Sequence, residues 1–435
     1  MTHWLLSLEL IDNPWLAIVP RVLLVVLLVA VAAIRPARAR RVAIAGLVGG
    51  VAVAATGFVL QQLQVFDGPL PGLALFWGAC AGVGLGAGIV GLVSAPAARR
   101  VAAVLLILAS LVTGFIGVNR AYGITHNLAA LLGVQAWDVQ PLPPVTDDAN
   151  DDDAPLYTTW QAPAGMPAQG RVSALSGAQR IPVGAFPSAR DGALYLPPAA
   201  LVADPPPLPL LVFMMGQPGS PDPGPLSHAL DRFAATHDGL APIALIVDQL
   251  GAPERDPACA DSTTFGAVST YINELVPAYA EKNLNIASDH SLWTIGGYSN
   301  GGSCAFAYAA GDPTLWGNLL NISGNEYPGS EHVAETVRDV FGGDQKAFDA
   351  AVPTAVLQRH PGAYAGHTAV FTWGSEDSVF GPGQQRNAAA ARAAGFDVFT
   401  TEIAGAGHVG AALDSGLDAG IAQLAPALGL APPAS

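Results

Sequence analysis

A serine between two glycines offers the clearest chemistry in the sequence. Ser299 is the centre of the pentapeptide GYSNG at 297–301, with an apolar run before it and a small-residue segment of helical character after it. In a strand–turn–helix context this spacing is typical of a nucleophile elbow, in which a Cβ at either glycine would strike a neighbouring element. The pattern predicts that the Ser299 hydroxyl projects above a sheet edge and that the backbone N–H of Asn300 faces a developing oxyanion.

A serine hydroxyl is a weak nucleophile at neutral pH, so it needs a general base that a carboxylate orients. Behind a nucleophile elbow the acid precedes the histidine in the chain, and each follows the end of a strand. The strand-like run 369–373 is followed by Gly-Ser-Glu376-Asp377, and the run 397–403 is followed by Gly-Ala-Gly-His408. We expect Asp377 to be the acid and His408 to be the base.

Each partner has a competitor. Glu376 is an alternative acid, and Asp377 could instead cap the helix that follows it. His360 and His367 are alternative bases, but neither follows a strand behind a glycine turn. Small residues directly before His408 are expected to let its imidazole reach the serine. A glycine-rich turn with an incidental serine would show the same pentapeptide, but the three residues in the right order are a much more specific pattern.

The oxyanion hole needs a second backbone N–H, from the loop after the strand at 208–215. That strand reads LPLLVFMM, a continuous apolar run typical of a strand buried on both faces. The loop continues Gly-Gln217-Pro218-Gly, whose glycines allow the backbone to approach a substrate. We assign the second N–H to Gln217, because Pro218 has none.

Strand-like and helix-like runs alternate along residues 170–435. This alternation predicts an α/β fold with a mostly parallel sheet, helices on both faces and an antiparallel entry. The predicted strands are 171–175, 192–196, 208–215, 242–247, 291–295, 319–323, 369–373 and 397–403. The predicted helices are 225–237, 265–282, 303–310, 333–358, 383–394 and 409–428.

The first 134 residues have a different character. Four apolar stretches at 16–34, 42–60, 72–93 and 101–118 are near the length that crosses a bilayer. They contain no acid, lysine or histidine, so we expect a membrane anchor rather than an ion pathway. In the third stretch, glycines at every fourth position from 78 to 86 predict close helix packing.

Arginine-rich loops at 35–41 and 97–100 follow the first and third stretches. The positive-inside rule then predicts a multi-pass cell-membrane protein with both termini and everything after 118 outside the cytoplasm. A cleaved signal peptide is the alternative for the first stretch. The segment before it carries Glu9 and Asp12 instead of a basic cluster, which argues against cleavage.

Charge divides the 435-residue chain in the same way. Residues 1–134 carry eight arginines against three acids, whereas the remainder has 11 basic and 31 acidic residues, within a total net charge of −15. An acidic part of this kind excludes the basic face that nucleic-acid binding requires. The segment 135–169 contains a proline-rich stretch and an aspartate run at 147–153. We interpret it as an extended tether, with cation binding by the aspartates as the alternative.

The ordered set Ser299, Asp377 and His408, with Met-Gly-Gln at 215–217 upstream, resembles the α/β-hydrolase superfamily. More narrowly, it resembles the esterase D group that also contains the mycolyltransferases of the antigen 85 complex. The resemblance covers about 170–430 and implies a serine esterase that forms an acyl-enzyme and needs no cofactor. Asp377 stands where mycolyltransferases have Glu, and Met-Gly-Gln replaces their Asp-Gly-Leu; both differences disfavour mycolyl transfer more than ester chemistry.

Fusion to several spans resembles membrane-tethered actinobacterial esterases, which implies lipid or cell-envelope esters as substrates. Hydrolysis is the leading hypothesis. The alternatives are acyl transfer to a sugar or glycerol hydroxyl, and a non-catalytic envelope-binding domain.

The three cysteines fit this topology. Cys80 lies in the third apolar stretch, while Cys259 and Cys304 are both expected at the active-site end of the sheet. We predict that these two form a disulfide in an oxidising compartment, with two buried free thiols as the alternative. Their number and spacing do not predict a zinc site.

Overall fold

A computed structural model describes the chain at residues 5–6, 8–11, 13–32, 36–63, 70–94, 97–122, 125, 127–132, 137–145 and 154–433. The chain forms two compact units, Met1–Ala136 and Trp137–Ser435. The aspartate run at 147–153 and Asp12 lie outside the described residues, as does part of the first arginine-rich loop.

The first unit is helical. Its described helices are α1 (Pro14–Ala32), α2 (Pro36–Gln62), α3 (Gly72–Ser94), α4 (Ala97–Tyr122) and the short α5 (Leu128–Leu132). The four long helices, over Pro14–Ala32, Ala39–Gln62, Gly72–Val93 and Arg99–Tyr122, have the length and apolar composition to cross a membrane.

Close packing of α2 and α3 depends on glycine. Gly82 and Gly86 of α3 lie against the backbone carbonyls of Gly49 and Ala45 in α2, so a methyl group at either position would overlap main-chain atoms. The small-residue spacing of the third apolar stretch therefore brings these two helices together, as predicted.

The second unit is built on an eight-stranded sheet. Its strands are β1 (Arg171–Leu175), β2 (Gly192–Leu196), β3 (Leu210–Met214), β4 (Ile243–Val247), β7 (Trp293–Tyr298), β8 (Asn318–Ile322), β9 (Thr368–Gly374) and β10 (Asp397–Ile403). A separate ribbon consists of β5 (Asp261–Ser262) and β6 (Gly266–Ala267).

The sheet order is β1-β2-β4-β3-β7-β8-β9-β10. From β4 to β10 all neighbours are parallel, whereas β1 and β2 are antiparallel to each other and β2 is antiparallel to β4. Strands β3, β4 and β8 are buried along their whole length, which explains the continuous apolar sequences of β3 and β4. The predicted mostly parallel sheet with an antiparallel entry is confirmed.

Helices cover both faces of the sheet. The helices are α6 (Leu156–Thr159), α7 (Gly224–Ala234), α8 (268–283, with a π-helical turn at Tyr271–Leu275), α9 (Asn300–Gly311), α10 (Val333–Asp339), α11 (Gln345–Ala351), α12 (Pro353–Arg359), α13 (Gly381–Ala394) and α14 (Ala411–Leu424). Gly302 of α9 packs on Asn321, and Gly420 of α14 packs on Leu320. Because adjacent strand residues point to opposite faces, α9 and α14 lie on opposite sides of β8.

Two expectations differ from the structure: the single helix at 333–358 and the extended tether at 135–169. The single helix predicted at 333–358 is divided into α10, α11 and α12. Gly342 and Gly343 both have positive φ angles, and Pro353 begins the last of the three helices. Glycines in the left-handed conformation end an α-helix, and a proline cannot continue one. The apolar periodicity that predicted one helix therefore runs through three separate helices.

The described parts of the predicted tether, 137–145 and 154–169, belong to the second unit. The backbone N–H of Ala174 donates to Asp138 O at 3.1 Å, and that of Tyr157 donates to Gly429 O at 3.0 Å. Leu142 and Trp160 pack against the core of the unit. Apolar side chains and backbone hydrogen bonds therefore attach the chain to the unit at these four residues.

Candidate active site

Ser299 lies in the turn between β7 and α9, at the carboxyl edge of the sheet. Its backbone has φ 53° and ψ −121°, a strained conformation for a residue with a Cβ. A methyl group on Gly297 would overlap the backbone of Gly301, and one on Gly301 would overlap the carbonyl of Met214. Glycine is therefore required on both sides of the serine, which agrees with the elbow predicted from the pentapeptide.

The structure brings the three predicted triad side chains together. Ser299 Oγ lies 2.9 Å from His408 Nε2, and His408 Nδ1 lies 2.8 Å from Asp377 Oδ2. Asp377 follows β9 and His408 follows β10, so the parallel strands place both residues at the same edge as the serine. Ser299 and His408 are 109 positions apart, and with Asp377 they form one continuous series of hydrogen bonds.

The environment of Asp377 favours the ionised carboxylate. Burial by itself raises the pKa of Asp377, but the hydrogen bond and charge of His408 and the N–H groups of Phe380 and Val379 outweigh it. The pKa of Asp377 therefore lies below its ordinary value. An ionised carboxylate in this place can orient the imidazole and stabilise the imidazolium that forms when the base takes a proton.

The competing residues occupy other places. Glu376 is exposed, whereas Asp377 is buried against His408. His367 precedes β9 at the amino edge of the sheet, where its Nε2 lies 2.7 Å from Pro313 O. His360 follows the last residue of α12. Asp377 also accepts the backbone N–H of Phe380 at 2.9 Å, a contact within the local turn. The capping residue of α13 is Phe380, and no side chain accepts a capping hydrogen bond there, so Asp377 does not take the alternative role of a helix cap.

The glycine that matters for placing His408 is Gly374 at the end of β9. A methyl group there would overlap the carbonyl oxygens of Ala406 and Gly407, in the loop that carries the histidine. Around a methyl group on Gly407 itself, nothing among the described residues lies within 4 Å. The expectation that small residues before His408 provide its reach is thus refined, because the close approach is made by Gly374.

The two expected oxyanion donors lie on segments that border the serine. Gly216 is so close that a Cβ there would lie 3.2 Å from Ser299 Cβ, and the backbone N–H of Gln217 follows it directly. Asn300 is the first residue of α9, where backbone N–H groups lack acceptors within the helix. Both donors therefore remain candidates on geometry.

Two supporting residues were not predicted from the sequence. Tyr298 donates from its hydroxyl to the carbonyl oxygen of His408 at 2.9 Å. Arg190 forms an ion pair with Asp248 at 2.6 Å and donates to Gly219 O at 2.7 Å, which holds the loop after β3. Tyr298 belongs to the GYSNG pentapeptide, so the sequence could have indicated it. Arg190 precedes β2 and belongs to no motif that would indicate a role at the site.

A disulfide joins Cys259 and Cys304, whose Cα atoms are 5.3 Å apart. Cys304 lies on α9 five residues after the serine, and Cys259 lies in the loop between β4 and β5. The bridge therefore ties that loop to the helix that follows Ser299. In the described part of the chain, no cluster of three or more His, Cys, Asp or Glu residues could hold a metal ion.

Strand order decides the fold: a nucleophile elbow follows the central strand β7 of a sheet ordered β1-β2-β4-β3-β7-β8-β9-β10. The second unit has the α/β-hydrolase fold. No family model matches the chain. An uncharacterized protein of Corynebacterium glutamicum is 39% identical over 197 residues, which cover 43% of this chain and 46% of that protein. The chain thus spans about half the length of this relative.

Solved structures similar to this chain carry esterase and hydrolase names. A ferulic acid esterase is 16% identical with a TM-score of 0.46, and the match covers 60% of this chain and 99% of that one. An S-formylglutathione hydrolase from Agrobacterium tumefaciens is 16% identical with a TM-score of 0.48, over 60% and 95% of the two chains. A fluorophosphonate-binding serine hydrolase of Staphylococcus aureus is 14% identical with a TM-score of 0.47, over 59% and 98%.

Proposed function

We propose that this protein is a membrane-anchored serine ester hydrolase whose catalytic unit lies outside the cytoplasm. The observation that carries the catalytic part is the continuous contact from Ser299 Oγ through His408 to Asp377, at 2.9 and 2.8 Å. A serine, a base and a buried ionised carboxylate in this order are the parts that acyl transfer through an acyl-enzyme requires.

The geometry supports a two-step reaction. Ser299 Oγ attacks the ester carbonyl carbon while His408 Nε2 takes the hydroxyl proton, and Asp377 keeps Nδ1 protonated. The backbone N–H groups of Gln217 and Asn300 stabilise the tetrahedral oxyanion. The imidazolium then gives its proton to the departing alcohol, which leaves an acyl ester on Ser299. Water attacks this ester with His408 as base, releases the carboxylic acid and restores the serine.

Detergent-solubilised protein tests this proposal directly. Wild type should be labelled by a fluorophosphonate and should hydrolyse a nitrophenyl ester, and Ser299→Ala should lose the label entirely. Loss of a triad member costs on the order of 10⁴- to 10⁶-fold in kcat in serine hydrolases, and we expect Ser299→Ala and His408→Ala to fall in this range. Well-folded wild type that neither labels nor hydrolyses esters would favour the binding-domain alternative.

The membrane part of the proposal depends on the four long helices. Val25, Leu47 and Leu108 are among their many exposed apolar side chains, at 59%, 67% and 53% exposure, and such surfaces need a lipid environment. Arginines lie at the beginnings of α2 and α4, so the positive-inside rule directs both beginnings to the cytoplasm and the chain after α4 to the outside.

A variant with one cysteine outside the disulfide tests the orientation. In a Cys80→Ser background, Gln345→Cys on the exposed surface of α11 gives a reporter thiol. We expect a membrane-impermeant maleimide to label it in intact cells as strongly as after lysis. Labelling only after lysis would put the hydrolase unit in the cytoplasm.

We further propose that the substrate is a lipid or cell-envelope ester. Attachment to the membrane raises the local concentration of membrane-embedded esters around the site. Lipid profiling of cells that produce Ser299→Ala should show an ester that accumulates, and the solubilised wild-type enzyme should cleave it. Cleavage of water-soluble esters alone would contradict this substrate class. An acylated sugar or glycerol formed when that alcohol is added would identify acyl transfer.

A further inference from the structure

Gln249 is a buried amide next to the site that the reaction steps above do not use. It lies two residues after β4 and is 3% exposed. Its Nε2 donates to Met215 O at 2.7 Å and to Asn300 Oδ1 at 3.1 Å. One NH₂ group therefore serves two acceptors, one on each side of it.

The two acceptors belong to the two segments that carry the proposed oxyanion donors. Met215 is the residue directly before Gly216 and Gln217, so its carbonyl fixes the start of that loop. Asn300 contributes its own backbone N–H to the oxyanion hole and receives the Gln249 bond on its side chain. Gln249 thus connects the two halves of the proposed hole through one side chain.

The orientation of the Asn300 amide is set from its other side. Asn300 Nδ2 donates to Asp256 Oδ1 at 3.1 Å, and the same oxygen accepts the backbone N–H of Ala258 at 2.8 Å. A carboxylate oxygen accepts hydrogen bonds, so the NH₂ group of Asn300 faces Asp256 and its Oδ1 faces Gln249. These contacts leave the Nε2 group of Gln249 one role, as a donor to both sides.

We propose that Gln249 is a positioning residue for the oxyanion hole, which sets the spacing between the backbone N–H groups of Gln217 and Asn300. This inference rests on the proposed esterase function. An oxyanion hole acts through donors held in place before the reaction, so a small displacement of one N–H lowers transition-state binding more than substrate binding.

Gln249→Leu tests the proposal, and Asn318→Leu is its matched control. Asn318 is also a buried amide, 1% exposed, and its Nδ2 donates to Ser291 O at 2.7 Å and Trp293 O at 3.3 Å at the amino edge of the sheet. Both variants lose one buried donor group with two acceptors, so both should lower the melting temperature. Only Gln249→Leu should lower kcat for a nitrophenyl ester, by about 10- to 100-fold with KM changed less than about twofold.

A transition-state analogue gives a readout that stability does not affect. A trifluoromethyl ketone forms a hemiketal oxyanion with a serine, so its affinity should fall by the same factor as kcat/KM in Gln249→Leu and stay unchanged in Asn318→Leu. Gln249→Glu, which keeps the side-chain shape and replaces the donor group with an acceptor at neutral pH, should fall at least as far. It also serves as the test if Gln249→Leu does not fold.

The result that overturns the proposal is a folded Gln249→Leu or Gln249→Glu variant whose kcat and ketone affinity equal those of Asn318→Leu. At the end of the labelling reaction, fluorophosphonate should occupy Ser299 stoichiometrically in Gln249→Leu, Gln249→Glu and Asn318→Leu. Absence of labelling in wild type would refute the proposed function itself, so the two failures are separate results.

Discussion

The hydroxyl of Tyr298 donates a hydrogen bond to the main-chain carbonyl oxygen of His408 at 2.9 Å, and its ring is stacked on the imidazole at 5.7 Å between centroids. The residue directly before Ser299 therefore holds the histidine that we propose as its general base. Burial, followed by the charges of Asp377 and Asp414, raises the pKa of Tyr298, so its phenol remains a donor across the physiological range.

Tyr298→Phe should weaken the reaction more than it weakens the fold. Loss of one hydrogen bond costs about 1 kcal/mol of unfolding free energy, while the freed loop lets the imidazole leave its position, and we expect kcat to fall about 3- to 10-fold. Tyr279→Phe is the control, because its hydroxyl donates to Gln179 O at 3.0 Å away from the site. Equal kcat in the two variants would show that the Tyr298 bond has no part in placing the base.

Asp377→Asn should change the dependence of stability on pH. The pKa of Asp377 lies below its ordinary value of 3.8, because the His408 contact and backbone N–H groups outweigh burial. A carboxyl whose pKa is lowered on folding stabilises the native state above its ordinary pKa, and this contribution is lost as the pH falls through the folded-state pKa.

The excess unfolding free energy of wild type over Asp377→Asn should therefore be present at neutral pH and shrink as the pH falls below 3.8. Denaturation of both proteins at a series of pH values measures this difference. A difference that stays constant through the acid range would contradict the lowered pKa. At neutral pH the same variant should lose about 10⁴-fold in kcat, because an amide can hold the wrong imidazole tautomer.

Gly374→Ala and Gly407→Ala should behave differently, although both glycines flank the histidine loop. A Cβ on Gly374 meets the backbone of residues 406–407, which cannot move without displacing His408, and overpacking of this kind costs about 1–3 kcal/mol. We expect Gly374→Ala to lower both the melting temperature and kcat, and Gly407→Ala to leave both near wild type. A fully active Gly374→Ala would mean that the loop has another position from which the histidine works.

The disulfide between Cys259 and Cys304 should contribute strongly to stability. The bridged residues are 45 positions apart, and closing a loop of this length is worth about 4 kcal/mol in the chain-entropy model, of which proteins commonly realise about 2–4 kcal/mol. The double variant Cys259→Ser/Cys304→Ser should lose this amount in chemical denaturation, whereas Cys80→Ser should not. A double variant as stable as wild type would show that the helix and the loop are held by their other contacts.

The sequence by itself determined the features that depend on neighbours along the chain. The glycines at 297 and 301, the four apolar helices and the buried strands follow from local sterics and apolar periodicity, which act over a few residues. The order of Ser299, Asp377 and His408 could also be read, because each follows its own strand. These signals were sufficient for the mostly parallel sheet and for the contact of these three side chains at its carboxyl edge.

Only the tertiary structure decided which side chains meet. Glu376 and Asp377 are adjacent in sequence, and their difference lies in which one the end of β9 turns inward. Gln249 reaches the site from a loop that has no motif, and strand order and packing bring its amide to Asn300 beside the serine. Arg190 also lies outside any motif and holds the loop after β3 through Gly219. The physical reason is that hydrogen bonds between distant residues depend on strand order and packing, and no local pattern records either of them.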